Sequence, residues 1–379
     1  MSLRISSVAA CALILLCQLI AAAPIEPSPL KPPSDGKPGF SLVAPGESGI
    51  DFQNVLADLS AARNRTLYNG SGVAVGDYDG DGRPDIYLCR LEGDNVLYRN
   101  LGNWKFEDVT RAAGLTMPYE YSRGAVFADV NSDGALDLLV SVHGQGVVVF
   151  TNDGKGRFAN TTATAGTATR FGAVTLALAD ADGDGELDLY VANNRREDYR
   201  DHPELLMLRV DGKLTVPERL RDRFLIDEKG GVQEYGEPDQ FYTNDGTGKF
   251  TPVSWTDGAF LDEDGKPLAR PPLDWGLTAQ FRDMNGDGSP DLYVCNDYWT
   301  PDRCWINDGR GRFRAIDRLA LRSISASSMG VDFADVDRDG NVDFFVVDML
   351  SRDHQRRKMQ MGAMKPNPSP SVSSTTARR

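Results

Sequence analysis

Short apolar runs recur along most of the chain, each followed by an acidic, glycine-containing stretch and then a second apolar run. Runs on the leading side include Val73–Val75, Ala125–Phe127 and Val331–Phe333, opened at a common offset by Gly72, Gly124 and Gly330. Those on the trailing side are Ile86–Leu88, Leu138–Val140, Leu189–Val191, Leu292–Val294 and Phe344–Val346. All are rich in β-branched and aromatic residues, too short for helices and bounded by Gly and Asp, so the pattern predicts strands. Asn-x-Gly segments further along each unit predict additional hairpins.

The acidic stretches are five copies of one nine-residue loop. Positions 1, 3, 5 and 9 are Asp77, Asp79, Asp81 and Asp85 in the first copy and Asp129, Asn131, Asp133 and Asp137 in the second. The third has Asp180, Asp182, Asp184 and Asp188, the fourth Asp283, Asn285, Asp287 and Asp291, and the fifth Asp335, Asp337, Asp339 and Asp343. A second signature follows the first four loops: Asn100 to Phe106, Asn152 to Phe158, Asn244 to Phe250 and Asn307 to Phe313. The steps between loops are 52, 51, 103 and 52 residues. The doubled step places an insertion of roughly 40 residues between Asn193 and Asp239. A unit this small cannot bury both faces of its own sheet, and repetition at about 50 residues predicts an all-β protein, a β-propeller of radially packed blades. Five calcium-loop units are detected, and a full ring of seven stays open. Phe106, Phe158, Phe250 and Phe313 hold one repeat position and are predicted core.

The loop spacing carries chemistry. Side chains at positions 1, 3, 5 and 9, with the backbone carbonyls of Arg83, Ala135, Glu186, Ser289 and Asn341 at position 7, can converge on one hard cation. Gly82, Gly134, Gly185, Gly288 and Gly340 permit the tight turn this needs. Every ligand is an oxygen, which favours Ca2+, up to five ions, over transition metals, with Mg2+ the weaker candidate. An EF-hand would need a Glu at position 12, where this chain has Leu88, Val140, Val191, Val294 and Val346. The bland alternative is that Asp and Asn merely make turns in solvated hairpins.

Charge supports the cation reading. Asp plus Glu number 55 against 41 Lys plus Arg, a net of −14, and the carboxylates of the five loops exceed that whole excess. Packed carboxylates repel unless a cation neutralises them or some take up protons. An acidic chain without a basic patch is a poor partner for nucleic acid. With three His residues, His143, His202 and His354, a multi-His metal site is not expected.

Met1–Ala23 has one basic residue, Arg4, then an apolar run Val8–Ile20 and three Ala residues, the pattern of a cleaved secretory signal. The run is too short for a transmembrane span. A Pro-rich linker (24–39), a repeat body (40–350, with the insertion at about 193–239) and a basic, Pro/Ser-rich disordered tail (351–379) follow, so the expected location is secreted, periplasmic or cell-surface. Loss of Cys11 and Cys17 with the signal leaves Cys89, Cys295 and Cys304, and the last two are either a bridge or two buried thiols.

The residues that follow tie these readings to a known family. Asn69–Asp77, Leu97–Asn100, Lys105–Thr110, Ser328–Asp335 and the loop series resemble secreted FG-GAP or VCBS repeat proteins, with propellers like the integrin α-subunit head. The likeness is strongest to bacterial members and the cartilage-acidic-protein group carrying an ASPIC/UnbV region, and it spans about residues 40 to 355. It implies a calcium-stabilised propeller used in adhesion or extracellular binding, and it does not imply catalysis. Phe40–Ile50 resembles Phe106–Leu115 and is expected to supply an outer strand that closes the ring in the last blade. No ASPIC/UnbV-like region follows Met349.

Other features carry less. Trp255, Trp275, Trp299 and Trp305 cluster near the insertion, as packing or as a sugar- or partner-binding face. The insertion departs from the repeat and is the best place for specificity. Asn64, Asn69 and Asn160 begin glycosylation sequons. No catalytic motif occurs: there is no Gly-x-Ser-x-Gly, no Cys–His pairing and no phosphate loop. The expected function is an exported calcium-binding module for an extracellular protein or glycan. The alternatives are a polysaccharide lyase or hydrolase built on a propeller, or an inert part of a larger surface protein.

Overall fold

Each acidic loop turns the chain back on itself, and that reversal is the seed of every sheet. The computed structural model describes residues 39–117, 121–201, 208–226, 230–298, 300–317, 320–321, 324–325, 327–349, 351–353 and 355–356. The signal segment, all but the end of the Pro-rich linker, the tail past 356, Trp299, His202 and His354 lie outside them.

The first sheet is an antiparallel meander of Val73–Gly76, Asp85–Leu88, Val96–Gly102 and Lys105–Asp108, in chain order. Ser122–Ala128, Asp137–Val142, Gly146–Asn152 and Phe158–Asn160 repeat it as the second sheet. The third consists of Ala173–Ala179, Asp188–Asn193, Gln240–Asn244 and Phe250–Pro252, and the fourth of Gly276–Arg282, Asp291–Asn296, Arg303–Asn307 and Phe313–Ala315. Phe260–Leu261 adds a short parallel strand outside Phe313–Ala315. The fifth sheet is the hairpin Ser328–Ala334 with Asp343–Asp348, as the missing fifth Asn-x-Gly signature implies.

The leading strands of consecutive sheets lie side by side, so these strands are the inner edges of radially arranged blades. Their registers share a feature the sequence does not advertise. In the second to fifth sheets the ladder skips one residue of the leading strand, Arg123, Val174, Leu277 or Met329, as a β-bulge. Three of the bulged residues offer their carbonyl to the preceding sheet. Ser141 Oγ donates to Val174 O (2.6 Å), Thr175 Oγ1 to Leu277 O (2.6 Å) and Thr278 Oγ1 to Met329 O (3.0 Å). The residue after the bulge is Gly124 in the second sheet, where a Cβ would stand 2.6 Å from Val174 O; that close approach is why glycine opens this strand.

Between blades the sheets bury their faces against each other. Tyr87, Leu97, Leu138, Val140 and Phe158 fill the gap between the first and second, and Leu139, Val149, Leu189, Val191 and Phe250 that between the second and third. Tyr190, Phe241, Trp255, Phe260, Trp305 and Phe313 fill the next. The four repeat phenylalanines are core, as expected. Trp255, Trp275 and Trp305 are buried, and Trp255 packs 5.9 Å from Trp305. Packing therefore accounts for these three, and they are not a sugar-stacking face. Val73 and Val75 of the first sheet and Phe345 and Val347 of the fifth stay exposed.

The expected closing strand is not formed by Phe40–Ile50. Residues 39–44 carry no helix or strand, and Pro45–Ser48 is a single helical turn. What the resemblance to 106–115 captured is a connector. A Cβ on Gly49 would stand 2.4 Å from Phe106 O, and one on Gly114 2.7 Å from Phe158 O. Both glycines lean on the outer strand of the following sheet. Cys295 and Cys304 are free and buried, because the register sets Cys304 opposite Tyr293 and leaves Cys295 on the diagonal. Burial pushes both thiols up to about 12, so they are inert packing groups.

Candidate metal centres

In a meander the turns joining strands one to two and three to four fall at one end, and the turn joining two to three at the other. The acidic loops and the Asn-x-Gly turns therefore share an end, and hydrogen bonds weld them together. Position 9 is the weld. Asp85, Asp137, Asp188 and Asp291 are fully buried. One oxygen of each accepts the position-2 N–H of its own loop, from Tyr78 (3.2 Å), Val130 (3.2 Å), Ala181 (3.1 Å) and Met284 (3.0 Å). The other accepts the N–H of the signature asparagine, from Asn100 (2.7 Å), Asn152 (2.8 Å), Asn244 (3.0 Å) and Asn307 (2.8 Å). This is why the two signatures occur together. Asp343 keeps the first bond, from Val336 N, and lacks the second, since its sheet has no such turn.

The asparagine side chains reach one blade back. Nδ2 of Asn152 donates to Tyr78 O (2.8 Å), that of Asn244 to Val130 O (2.9 Å) and that of Asn307 to Ala181 O (2.8 Å). Each acceptor is the position-2 carbonyl of the preceding acidic loop. Asn100, in the first sheet, donates to Pro84 O within its own blade.

The remaining positions form a nest of carboxylates over backbone N–H groups. Position 1 accepts from the position-6 glycine in all five loops, for example Asp77 from Gly82 (2.8 Å) and Asp283 from Gly288 (2.9 Å). Position 3 accepts from the N–H of position 5, and position 5 from that of position 7. Such bonds bend the loop and aim the other lone pairs of positions 1, 3 and 5 toward one another. In three loops, Asp77 with Asp79 and Asp85, Asp180 with Asp182 and Asp184, and Asp335 with Asp337 and Asp339, one oxygen from each lies within 4.8 Å of the others. A hard cation with all-oxygen ligands fits that donor set.

The loops differ in charge. In the second and fourth, the position-3 residue is Asn131 or Asn285, and its amide donates to the position-5 carboxylate, Asp133 or Asp287. In the first loop the Arg83 guanidinium is paired with Asp81 and already offsets one charge. Burial, then the neighbouring Asp81 or Asp184, raises Asp79 and Asp182 above the ordinary carboxylate range. Burial brings Asp85, Asp137 and Asp188 up to about 6 despite their N–H partners. Proton uptake and cation binding are the two ways to relieve this crowding.

A family model for the FG-GAP-like repeat matches residues 77–140, 129–191 and 283–346. The chain carries FG-GAP-like repeats. Each matched segment runs from one acidic loop to the strand following the next such loop or its equivalent, and the unmatched stretch contains the insertion. Cartilage acidic protein 1 of Mus musculus is 35% identical over 85 residues, 22% of this chain and 13% of that protein. The Homo sapiens protein of the same name is 34% identical over 85 residues, with the same coverage. The match thus spans about an eighth of the length of these relatives. Among solved structures, an Agrocybe aegerita lectin recognising non-reducing terminal N-acetylglucosamine is similar at TM-score 0.31 and 18% identity, covering 72% of this chain and 73% of that one. A GH43_1 enzyme from Xanthomonas citri is similar at TM-score 0.35 and 15% identity, covering 69% and 76%. Neither similarity is high enough to bear on function.

The opposite end of the FG-GAP repeat body holds the insertion, which runs between Asn193 and Pro238. It contains two hairpins, Leu208–Val210 with Lys213–Thr215 and Phe224–Ile226 with Val232–Glu234. Val216, Leu220, Phe224 and Val232 give it a small core of its own. Within it, Glu234 accepts from Arg223 Nε (2.6 Å) beside Arg195 (3.0 Å), and Glu237 ties it to the scaffold by accepting the Gly172 N–H (2.6 Å). A polar anchor was missed in the sequence. Tyr190 Oη donates to Asp239 (2.7 Å) and Tyr293 Oη to Asp302 (2.8 Å), at equivalent places in the third and fourth sheets. The recurring Pro-Asp pairs at 238–239 and 301–302 were the readable signal. The sequon residue Asn64 is occupied: its Nδ2 donates to Arg196 O at 2.8 Å and its Oδ1 accepts from Thr66.

Proposed function

We propose that this FG-GAP-repeat chain is an exported, calcium-binding β-propeller that serves as a non-catalytic binding or adhesion module for an extracellular protein or glycan. The observation that supports calcium most is the gathering of three carboxylates in each of three equivalent loops; among the described residues only the first of these has a carboxylate already paired with a basic side chain, Asp81 with Arg83. Asp180, Asp182 and Asp184, and Asp335, Asp337 and Asp339, would hold the ion most strongly, and Asp77 with Asp79 next. In the first four loops the position-9 carboxylates accept backbone N–H groups on both oxygens and act first as hairpin locks. Calcium would supply neutralisation and rigidity there. Export follows from the amino-terminal pattern and suits a cation abundant outside cells. Among the described residues, no helix is long and apolar enough to cross a membrane.

A melt in excess calcium, excess magnesium and chelator tests the proposal. Saturation at about 100 times the dissociation constant adds about 2.7 kcal/mol per site, so chelation lowers the melting temperature strongly. Asp182→Asn reduces the calcium-dependent part. A melt unaffected by chelator refutes the metal assignment. Glycan and matrix-protein arrays run on the calcium-loaded protein address the binding role.

A further inference from the structure

Each boundary between consecutive sheets reuses the same repeat positions. The earlier sheet contributes the residues two and four places past its acidic loop, and the later sheet those two and four places before its own. The inner pairs share a core at every boundary: Tyr87 with Phe127, Leu139 with Leu178, Tyr190 with Phe281 and Tyr293 with Phe333. Two half-boundaries are left over. On the fifth sheet Phe345 and Val347 hold the forward positions, where Tyr87, Leu139, Tyr190 and Tyr293 are buried, yet they are 68% and 47% exposed. On the first sheet Val75 and Val73 hold the backward positions and are 61% and 54% exposed.

The leftover halves match in extent and in polar groups. The fifth sheet has only two strands, so it can cover only the inner part of a neighbour. On the first sheet the outer part of that face, Val96, Tyr98 and Phe106, is already packed by Ile50 and Phe52, and the inner strand is what stays bare. Asn152 and Asn307 each donate twice, once within the blade and once to the position-2 carbonyl of the preceding loop. Asn100 makes the first bond alone among the described residues. The acceptor its repeat position calls for is the position-2 carbonyl of a preceding loop, and the fifth sheet offers Val336 O.

We propose that the chain assembles head to tail, the fifth sheet of one copy packing on the first sheet of the next in the register of the internal boundaries. Phe345 and Val347 then lie against Val73 and Val75 of the next copy, whose Asn100 donates to Val336 O. A second copy is the occupant because both halves of the missing boundary are carried by this one chain and are bare over the same inner strands. Such an interface is heterologous, so copies close into a ring or continue as a filament. One position weakens it. Gln280 donates to Val331 O across the boundary between the fourth and fifth sheets (2.8 Å). The equivalent residue of the fifth sheet is Asp332, whose carboxylate cannot donate to Val73 O of the next copy. The proposal goes beyond the binding role above and stands without it.

The test is sedimentation velocity of the full-length chain in excess calcium over a wide range of protein concentration. Wild type is expected to gain mass as concentration rises. Phe345→Asp and Val75→Asp, each at an exposed side chain, block opposite halves. Each variant alone should stay monomeric, while their mixture forms a species of twice the monomer mass and none larger. A wild type that is monomeric throughout, a variant that associates alone as wild type does, or a mixture that stays monomeric overturns the proposal. Asp332→Gln restores the missing donor and should tighten association about 2- to 10-fold. No tightening overturns the register. Should a blocking variant fail to fold, Val347→Asp or Val73→Asp takes its place on the same half. Because calcium is in excess throughout, this outcome is separate from that of the chelation melt.

Discussion

Removing the side-chain amide from the signature asparagines, one blade at a time, isolates what holds neighbouring blades together. Asn307→Ala deletes the bond to Ala181 O across the blade boundary, the bond to Pro290 O (3.1 Å) and the acceptor for Gly309 N (3.2 Å). Asn152→Ala does the same to Tyr78 O, Leu136 O (3.0 Å) and Gly154 N (3.1 Å). Both asparagines are 2% exposed. Each lost bond is worth about 1 kcal/mol, and a carbonyl left buried without its donor raises that to about 1–3 kcal/mol. The expected cost is therefore about 2–4 kcal/mol for Asn152→Ala, Asn244→Ala or Asn307→Ala. Asn100→Ala is the internal control: it forfeits Pro84 O and Gly102 N (both 2.9 Å), neither of them across a boundary, and should cost about 1 kcal/mol. Urea unfolding in excess calcium, with the slope checked for constancy, measures all four. If Asn100→Ala destabilises as much as the other three, the bonds across the boundaries are not what the asparagines contribute.

Two further outcomes follow from the core and from His143. Phe313→Ala removes a fully buried ring that stacks 5.3 Å from Phe260, and should cost about 3–5 kcal/mol in denaturant melts; a loss near 1 kcal/mol would show that the gap collapses. Burial, then the charge of Arg123, lowers His143 from 6.5 to about 4. The unfolded chain then takes up the proton first as the pH falls, so the stability this ring contributes is complete above 6.5 and is lost between 6.5 and about 4. The full difference is about 3 kcal/mol. Urea titrations of wild type and His143→Asn over that range should converge toward the acid end, and a pH-independent gap between them would refute the assignment.

Most of the blade architecture was legible because a strand pair and its turn are local. Asp-x-Asp-x-Asp-Gly spacing, flanking β-branched runs and a constant step specify a hairpin without reference to anything distant. The insertion's place was readable from the lengthened interval between Asp180 and Asn244, though its hairpins were not, because their pairing rests on a four-residue core with no repeat to compare. Position 9 looked like a cation ligand because its residue type matched. Its buried lock on Asn100, Asn152, Asn244 or Asn307 depends on a partner 15 to 56 residues away. Residues 40–50 differ from the expected strand for a related reason: the likeness to 106–115 is real, yet the shared part is the glycine connector rather than the strand. Arg123 gave no sign at all, since a bulge is a property of register and only pairing reveals which residue is skipped.

The placement of the insertion has a consequence for how such a protein can change. Its two hairpins leave and rejoin the third sheet at Asn193 and Pro238, where the meander turns away from the acidic loops. Length and composition can vary there while the carboxylate nests and asparagine bridges keep their geometry. A designer could replace 195–237 with a foreign recognition segment and leave the face that carries the acidic loops as it was. One body would then present interchangeable surfaces on an unaltered frame.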